Sequence, residues 1–495
     1  MSEAAPAADD AAALARGSAS TDDQRALVAI DLGAESCRVS LLRWSAGRPV
    51  IELVHRFRND AEQRADGLRW NIEAILRGLE EGLRCCASIA TEGIRAIGVD
   101  GWAVDYVWLR EDGSIADDPF CYRDERTIVS EAALEERIPA AHMRALTGVQ
   151  LLRINTVYQL FADRMQGRIT KQHRRWVNLP EYVLYRLGGR VVAERTNASH
   201  TQLLGTDGQW SLEIFDALGL MLEMAPPVVP AGTVVGTLQG PLAQLPAFAQ
   251  TKLIAPACHD TASAIAAIPD AGEDWAYISS GTWSLVGTVL AAPVNTVEAQ
   301  RENFTNLAGV GGSVCFHKNV NGMWLLRQCM DEWRELGATL ELPALIAAAE
   351  QVSRPAHLLH VDAPELLLPG QMLGRINQQL QLRGLPAMST AVEDAPQMAS
   401  LLFHSLAARY AEVLRSVQSI TGKQLRTLYI MGGGSQNAML NRLTAEATGL
   451  EVRRAGTECS TVGNFAVQLA ALEREPGTGQ RARVTGWATR LQCAV

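Results

Sequence analysis

The segment Cys258-His259-Asp260-Thr261-Ala262-Ser263-Ala264 is followed closely by Ser279-Ser280-Gly281-Thr282-Trp283-Ser284-Leu285-Val286-Gly287, just past the midpoint of the 495-residue chain. The first segment sets a carboxylate among small neighbours, as expected where a base meets a substrate. The second reads strand, small-residue turn, strand. Its Gly281 permits close backbone approach, and the Thr282 hydroxyl can donate to a phosphate oxygen. The stretch reads as the junction of two halves, and the chain on either side of it repeats one pattern.

Upstream, residues 27–30 read as a buried strand, 31–36 as a tight turn, 38–44 as the return strand and 50–55 as a third, together an antiparallel meander. Ile72, Ile75, Leu76, Leu79 and Leu83 share one face of a helix. A buried strand at 94–99 runs into Asp100-Gly101-Trp102-Ala103-Val104-Asp105, and a hairpin is expected over 106–122. Residues 130–250 read as an inserted, substrate-side elaboration. Downstream, 276–287 again reads strand, turn, strand, and 322–336 as a helix. A longer helix over 397–420 carries the stripe Leu402, Leu406, Tyr410, Val413, Val417 and Ile420. The strand 427–430 ends at Gly432-Gly433-Gly434-Ser435. A helix (437–448), a short strand (451–453) and a final helix (461–472) complete the core. Two halves that each open on a phosphate-type hairpin predict a duplicated α/β unit around a cleft.

Composition narrows the function. Hydrophobic residues at 47% and charged residues at 20% suit a soluble globular protein. No apolar run reaches about 18 residues, so no membrane partner is expected, and the N-terminus lacks the pattern of a secretory signal. A formal charge of −9 argues against a nucleic-acid partner but not against a nucleotide in a local pocket. Nine cysteines without C-x-x-C spacing read as free thiols of a cytoplasmic protein. His357 and His360, and the pair Cys85-Cys86, are read as structural.

Four motifs can carry chemistry, each with a plainer alternative. Asp31-Leu32-Gly33 suits hydrated Mg²⁺ beside turn N–H groups, or a hairpin whose Asp caps the turn. Ser280-Gly281-Thr282 suits a phosphate, or is an ordinary β-turn. Gly432-Gly433-Gly434-Ser435 precedes a helix N-terminus, which favours phosphate, or serves close packing. It has neither the G-x-G-x-x-G spacing nor a P-loop lysine. Asp260 suits a proton acceptor, with an unperturbed pKa of about 3.9, or an N-cap. Phosphoryl transfer uses all four together, because its loose transition state asks little of the base.

Several segments resemble the FGGY carbohydrate kinases. They are Ala29-Ile30-Asp31-Leu32-Gly33-Ala34, Tyr122-Arg123-Asp124, Asn155-Thr156-Val157-Tyr158-Gln159-Leu160 and Thr196-Asn197-Ala198, followed by 259–264, 279–285 and 432–437. The resemblance implies a two-domain actin-like sugar-kinase (ribonuclease H-like) α/β fold. Residues 1–24 would be a disordered tail, 25–268 a sugar-binding domain and 269–495 a nucleotide-binding domain, in a monomer or homodimer. It implies ATP and Mg²⁺, and a small ketose as acceptor: L-rhamnulose phosphorylated on O1, with L-fuculose or L-xylulose as alternatives. A nucleotide-binding module without an acceptor is the alternative of another class.

Carried over by position, Asp260 is the base. Ala103, His259, Asp260, Thr261 and Asn319 hold the sugar. Ala34, Glu35, Ser36, Cys37, Arg38, Thr282, Arg327 and Gly433 hold ATP, and Asp31 the metal. Cys37 stands where the family usually has Gly, Gly101 and Ala103 in a segment usually T-W-G, and Arg327 where Gln is usual. A closure hinge is expected between Asp260 and Thr282.

Overall fold

The computed structural model describes residues 23–269, 272–368, 370–473 and 479–492. The expected tail therefore lies outside the described residues, apart from Asp23 and Gln24.

Two six-stranded sheets form the frame. The first contains β1 (Ala26–Leu32), β2 (Ser36–Ser45), β3 (Arg48–Arg58), β4 (Ile94–Gly101), β5 (Thr233–Thr237) and β6 (Lys252–Ala255), in the order β5-β6-β4-β1-β2-β3. The second contains β7 (Trp275–Ser280), β8 (Trp283–Leu290), β9 (Thr305–Ala308), β10 (Val314–Asn321), β11 (Thr427–Met431) and β12 (Glu451–Gly456), in the order β9-β10-β8-β7-β11-β12. In each sheet one strand heads an antiparallel meander (β1-β2-β3, β7-β8-β10) and pairs in parallel on its other side with a second strand, which pairs in parallel with a third (β4 then β6, β11 then β12). The duplication expected from pattern is thus present in the strand order. The third strand of the second meander, β10, and its partner β9 escaped the sequence reading, because residues 291–304 separate β9, and 291–313 separate β10, from the hairpin.

β1 is buried along its whole length, since layers cover both faces of its sheet. This explains its unbroken apolar run rather than alternation. Helix α1 (Ile72–Ile89) is capped by Asn71, which accepts from the Ala74 N–H, and buries Ile72, Ile75, Leu79 and Leu83 on the expected face. Further along the chain come α2 (Thr156–Met165), α3 (Arg195–His200), α4 (Asp260–Ala266), α5 (Trp324–Glu335), α6 (Ala395–Thr421), α7 (Ala438–Thr448), α8 (Cys459–Leu472) and α9 (Gln480–Leu491). α6 buries Leu402, Leu406, Tyr410, Val413 and Val417 along its stripe and ends at Gly422 with φ of 73°.

Two local expectations are corrected. The strand Tyr106–Leu109 takes its main partner from Arg175–Asn178, and the expected hairpin is confined to 108–116, where the Arg110 N–H donates to the Ser114 carbonyl and the Ala116 N–H to the Trp108 carbonyl around the Asp112-Gly113 turn. The reason lies in the side chains: Tyr106 packs edge-on to Trp176, while the Tyr106 hydroxyl and the Trp108 indole both donate to buried Asp163. The chain also continues past α8 into α9, whose polar start hides a face of Val484, Trp487, Ala488 and Leu491.

α8 belongs by sequence to the second half but packs on the first. Gln468 donates to the Val28 carbonyl at 2.9 Å, and Asn464 to Asp100 at 2.6 Å. α8 crosses α4 so closely that a Cβ on Gly463 would fall on the Ser263 carbonyl. The close approach makes glycine necessary at this position.

Candidate active site

The floor of the cleft is built from the end of β1 and the loop before α4. Asp31 closes β1, and its Oδ2 accepts from Arg38 Nη1 at 2.9 Å and from Ser460 Oγ at 2.9 Å. Asp100 lies beside it in register on β4. Burial, and then the Asp31 charge, hold Asp100 well above the usual carboxylate range, and its Oδ1 has no hydrogen-bond partner. The turn after β1 is braced from β3: Asn59 donates its side chain to the Gly33 carbonyl and its backbone N–H to the Glu35 carbonyl. A Cβ on Gly33 would meet the Ser36 carbonyl at 2.4 Å, so the turn requires glycine. Cys37 faces inward. Its side chain is buried in the core, and burial pushes the thiol up to about 12.

The loop carrying the candidate base is held from two sides. Gly101 N–H donates to the Cys258 carbonyl at 3.0 Å. A Cβ on Gly101 would sit 2.6 Å from that of Leu32, so a larger residue here would have to displace β1. On the other side, fully buried Glu194 accepts from the Cys258 N–H at 2.9 Å, and the Thr196 hydroxyl accepts from the His259 N–H at 3.3 Å. This gives the Thr196-Asn197-Ala198 motif a physical role.

Asp260 opens α4. Its Oδ1 accepts from the Thr261 N–H and hydroxyl and lies 3.3 Å from His259 Nε2. About 35% of its side chain faces the open cleft, and protein encloses the rest. That enclosure, and then the Asp31 charge, raise it to about 7 against the opposing Thr261 donors. His259 is buried and depressed to about 3, so it is neutral. The His200 ring lies against it, tilted by 56°, at 3.9 Å between ring centroids.

These groups open onto a cavity of 170 Å³. Ala103, His259, Asp260, Thr261 and Asn319 all line it, so the five sugar-side residues come together in one place. Asn319 reaches it from β10 and donates to Gln150 Oε1 at 2.7 Å. Val104, Asn155, His200 and Trp283 also line it, and sequence reasoning did not select them as site residues. Val104, Asn155 and Trp283 stand inside quoted segments without having been singled out; His200 carried no signal.

The nucleotide-side residues lie outside this cavity. Ala34 to Arg38 occupy the first hairpin turn and the start of β2. Thr282 sits on the second turn, which rests on the start of α5: the Gly281 and Thr282 carbonyls accept from the Met323 and Trp324 N–H groups. The Gly432–Gly434 turn packs on the end of β7, where a Cβ on Gly432 would meet the Ser280 carbonyl at 2.7 Å. Gly433 has open space where a Cβ would be. Arg327, on α5, pairs with Glu35 across the cleft.

The donor set suits Mg²⁺. Asp31, Asp100 and Asp260 are hard oxygen donors, the Asp31 charge is near enough to raise both of the others, and one oxygen of Asp100 lacks a partner. No group of three or more His, Cys, Asp or Glu side chains among the described residues forms a ready-made metal cage.

Sequence models of the FGGY family of carbohydrate kinases match residues 26–267 (N-terminal domain) and 276–472 (C-terminal domain). The chain belongs to the FGGY family of carbohydrate kinases. This FGGY kinase is 35% identical to a rhamnulokinase of Enterococcus faecalis, over 91% of its own length and 90% of the relative's. It is 34% identical to a rhamnulokinase of Bacteroides thetaiotaomicron over 89% of each chain, and 33% identical to one of Bacillus subtilis over 90% of each. Its fold matches a ligand-bound xylulose kinase from Lactobacillus acidophilus with a TM-score of 0.76 at 14% identity, covering 94% of this chain and 91% of that one. Plasmodium falciparum glycerol kinase with ADP matches with a TM-score of 0.69 at 14% identity, covering 90% and 89%. Kinases of this family use ATP, typically with Mg²⁺. No helix among the described residues is long and apolar enough to cross a membrane.

Proposed function

We propose that this kinase transfers the γ-phosphoryl group of ATP to the O1 hydroxyl of L-rhamnulose, with Asp260 as the base. The observation that carries the reading is Asp260 itself. It is a carboxylate raised to about 7, facing a monosaccharide-scale cavity, in a chain 33–35% identical to rhamnulokinases over about nine-tenths of its length.

A base whose pKa lies near the working pH combines availability with driving force. Asp260 takes the proton of the attacking hydroxyl while that oxygen bonds to the γ-phosphorus and the bond to the β–γ bridging oxygen breaks, releasing ADP. Neutral His259 hydrogen bonds the sugar without adding charge beside the base. Thr261, Asn319 and the Ala103 backbone complete its orientation. The turn from Ala34 to Arg38, Thr282, Arg327 and Gly433 holds ATP. Asp31 would hold Mg²⁺, directly or through water, with Asp100 behind it; the ion, when bound, neutralises phosphate charge. Residues 25–268 act as the sugar domain and 269–495 as the nucleotide domain, with α8 bridging the two. The eight described cysteines are all free thiols, which suits a cytoplasmic setting.

Assaying L-rhamnulose, L-fuculose and L-xylulose with ATP and Mg²⁺ tests the reading. The expected result is a kcat/KM for L-rhamnulose at least about tenfold above the others, a difference of about 1.4 kcal/mol in transition-state binding. A preference for either competitor, or ATP turnover that no ketose stimulates, overturns it.

A further inference from the structure

Val104 stands at φ of 73°. It is the one β-branched side chain at positive φ among the described residues. That region is sterically hostile to a residue branched at Cβ, and such a conformation persists only where its surroundings over-determine it.

The surroundings do so here. The Val104 carbonyl accepts from the Thr156 hydroxyl at 2.8 Å and from Gln159 Nε2 at 3.3 Å, both at the start of α2. The next residue, Asp105, is fully buried and gathers four donors: the Trp70 indole at 2.6 Å, the Trp102 indole at 3.0 Å, Gln159 Nε2 at 3.1 Å and the Tyr122 N–H at 3.2 Å. The chain is pinned on both sides of the strained bond, and Val104 is thereby presented to the sugar cavity.

The rest of that wall is apolar. The inserted region contributes Val149, Leu152 and Ile154 to the cavity. Its polar members are Gln150 and Asn155, which hydrogen bond to Asn319 and Gln202, and His200, whose ring lies against that of His259 beside the base. We propose that Val104 is a specificity-determining residue: held in the left-handed conformation, it forms with Val149, Leu152 and Ile154 a wall that favours a deoxyketose over the same ketose bearing a hydroxyl. A hydroxyl set against this wall loses its water and gains no partner. The inference rests on the ketose-kinase reading above and extends it to the carbon that lacks oxygen.

L-Rhamnulose and L-fructose differ by one hydroxyl, at C6, and make the test direct. Kinetics with both ketoses are measured for the unaltered enzyme, Val104→Thr and Val104→Gly. Threonine keeps the shape and adds a hydroxyl to the wall. Glycine removes the side chain and accepts the positive φ without strain. The unaltered enzyme should prefer L-rhamnulose by up to about 10²-fold in kcat/KM, the limit for an apolar pocket rejecting an added hydroxyl. Both variants should lower that ratio at least about tenfold, through KM rather than kcat, and Val104→Gly should not melt below the unaltered enzyme. An unchanged ratio in the variants overturns the proposal, as does an unaltered enzyme that uses both ketoses equally well. Should Val104→Thr fail to fold, Val104→Gly decides. If the unaltered enzyme phosphorylates neither ketose, the ketose-kinase reading itself fails and the wall falls with it.

Discussion

Glu35 and Arg327, 292 residues apart, form an ion pair of 2.6 Å that joins the first hairpin turn to α5 across the mouth of the cleft. Both side chains are more than half exposed, at 56% and 54%. An exposed pair of this kind contributes about 0–1 kcal/mol, so it leaves the cleft free to open. In the proposed ATP site, Glu35 would compete with phosphate for the guanidinium. Glu35→Gln is expected to lower the KM for ATP by up to about fivefold at low salt, the equivalent of 1 kcal/mol, and the gain should shrink as ionic strength rises. Arg327→Gln is expected to raise the same KM. ATP titrations at two salt concentrations check both.

The crossing of α4 and α8 is the tightest junction between the halves, and it lies between the base and Ser460, which donates to Asp31. Gly463→Ala should cost about 1–3 kcal/mol, because the added methyl meets the Ser263 carbonyl and cannot be accommodated without moving a helix. A helix shift here also displaces the hinge expected between Asp260 and Thr282, so kcat should fall with stability. A denaturant midpoint unchanged from that of the parent would contradict the tight crossing.

Glu181 and Glu194 are both fully buried, at 0% exposure, and burial pushes them up to about 8 and about 7 from the ordinary 4.5. Their folded-state pKa values lie above the unfolded ones. Their contribution to stability is therefore complete below about pH 4.5 and is lost as pH rises through 7 and 8. Across that window the folded state retains protons that the unfolded chain has released, and stability falls with a slope of at most about 1.4 kcal/mol per pH unit for each retained proton. Glu181→Gln should flatten this decline. Denaturant melts from pH 5 to pH 9 measure it, and parallel slopes for parent and variant would count against Glu181 as a source.

Much of the frame was legible because it follows from local periodicity. β1 reads as a strand from its unbroken apolar run, and α1 and α6 announce themselves through stripes that the structure buries. Of the residues expected on the sugar side, His259, Asp260 and Thr261 stood out as one contiguous run, whereas Ala103 and Asn319, which line the same cavity, came from the family resemblance. What escaped depends on distance in sequence. Glu194 holds the Cys258 N–H from 64 residues away, and Ser460 reaches Asp31 from 429. The positive φ of Val104 is a backbone state that no side-chain pattern encodes. β10 was hidden by the segment inserted before it, and α9 by its polar first turn.

The environment of Asp260 also sets the pH profile. In the proposed mechanism the base works in its ionised form, and the pKa of Asp260 is raised to about 7, so kcat/KM should rise about tenfold per pH unit below pH 7 and level off above it. Initial rates with limiting ketose between pH 5 and pH 9 show this. A profile flat down to pH 5 would mean that the group stays ionised at the ordinary carboxylate value.

The most direct measurement is the turnover of Asp260→Asn with saturating ATP and ketose. Asparagine keeps the size and hydrogen-bonding reach of the side chain and removes its capacity to accept the proton. The expected result is a kcat at least about 10²-fold below the parent, with ATP affinity within a few fold. Near-parental turnover in Asp260→Asn would contradict Asp260 as the base.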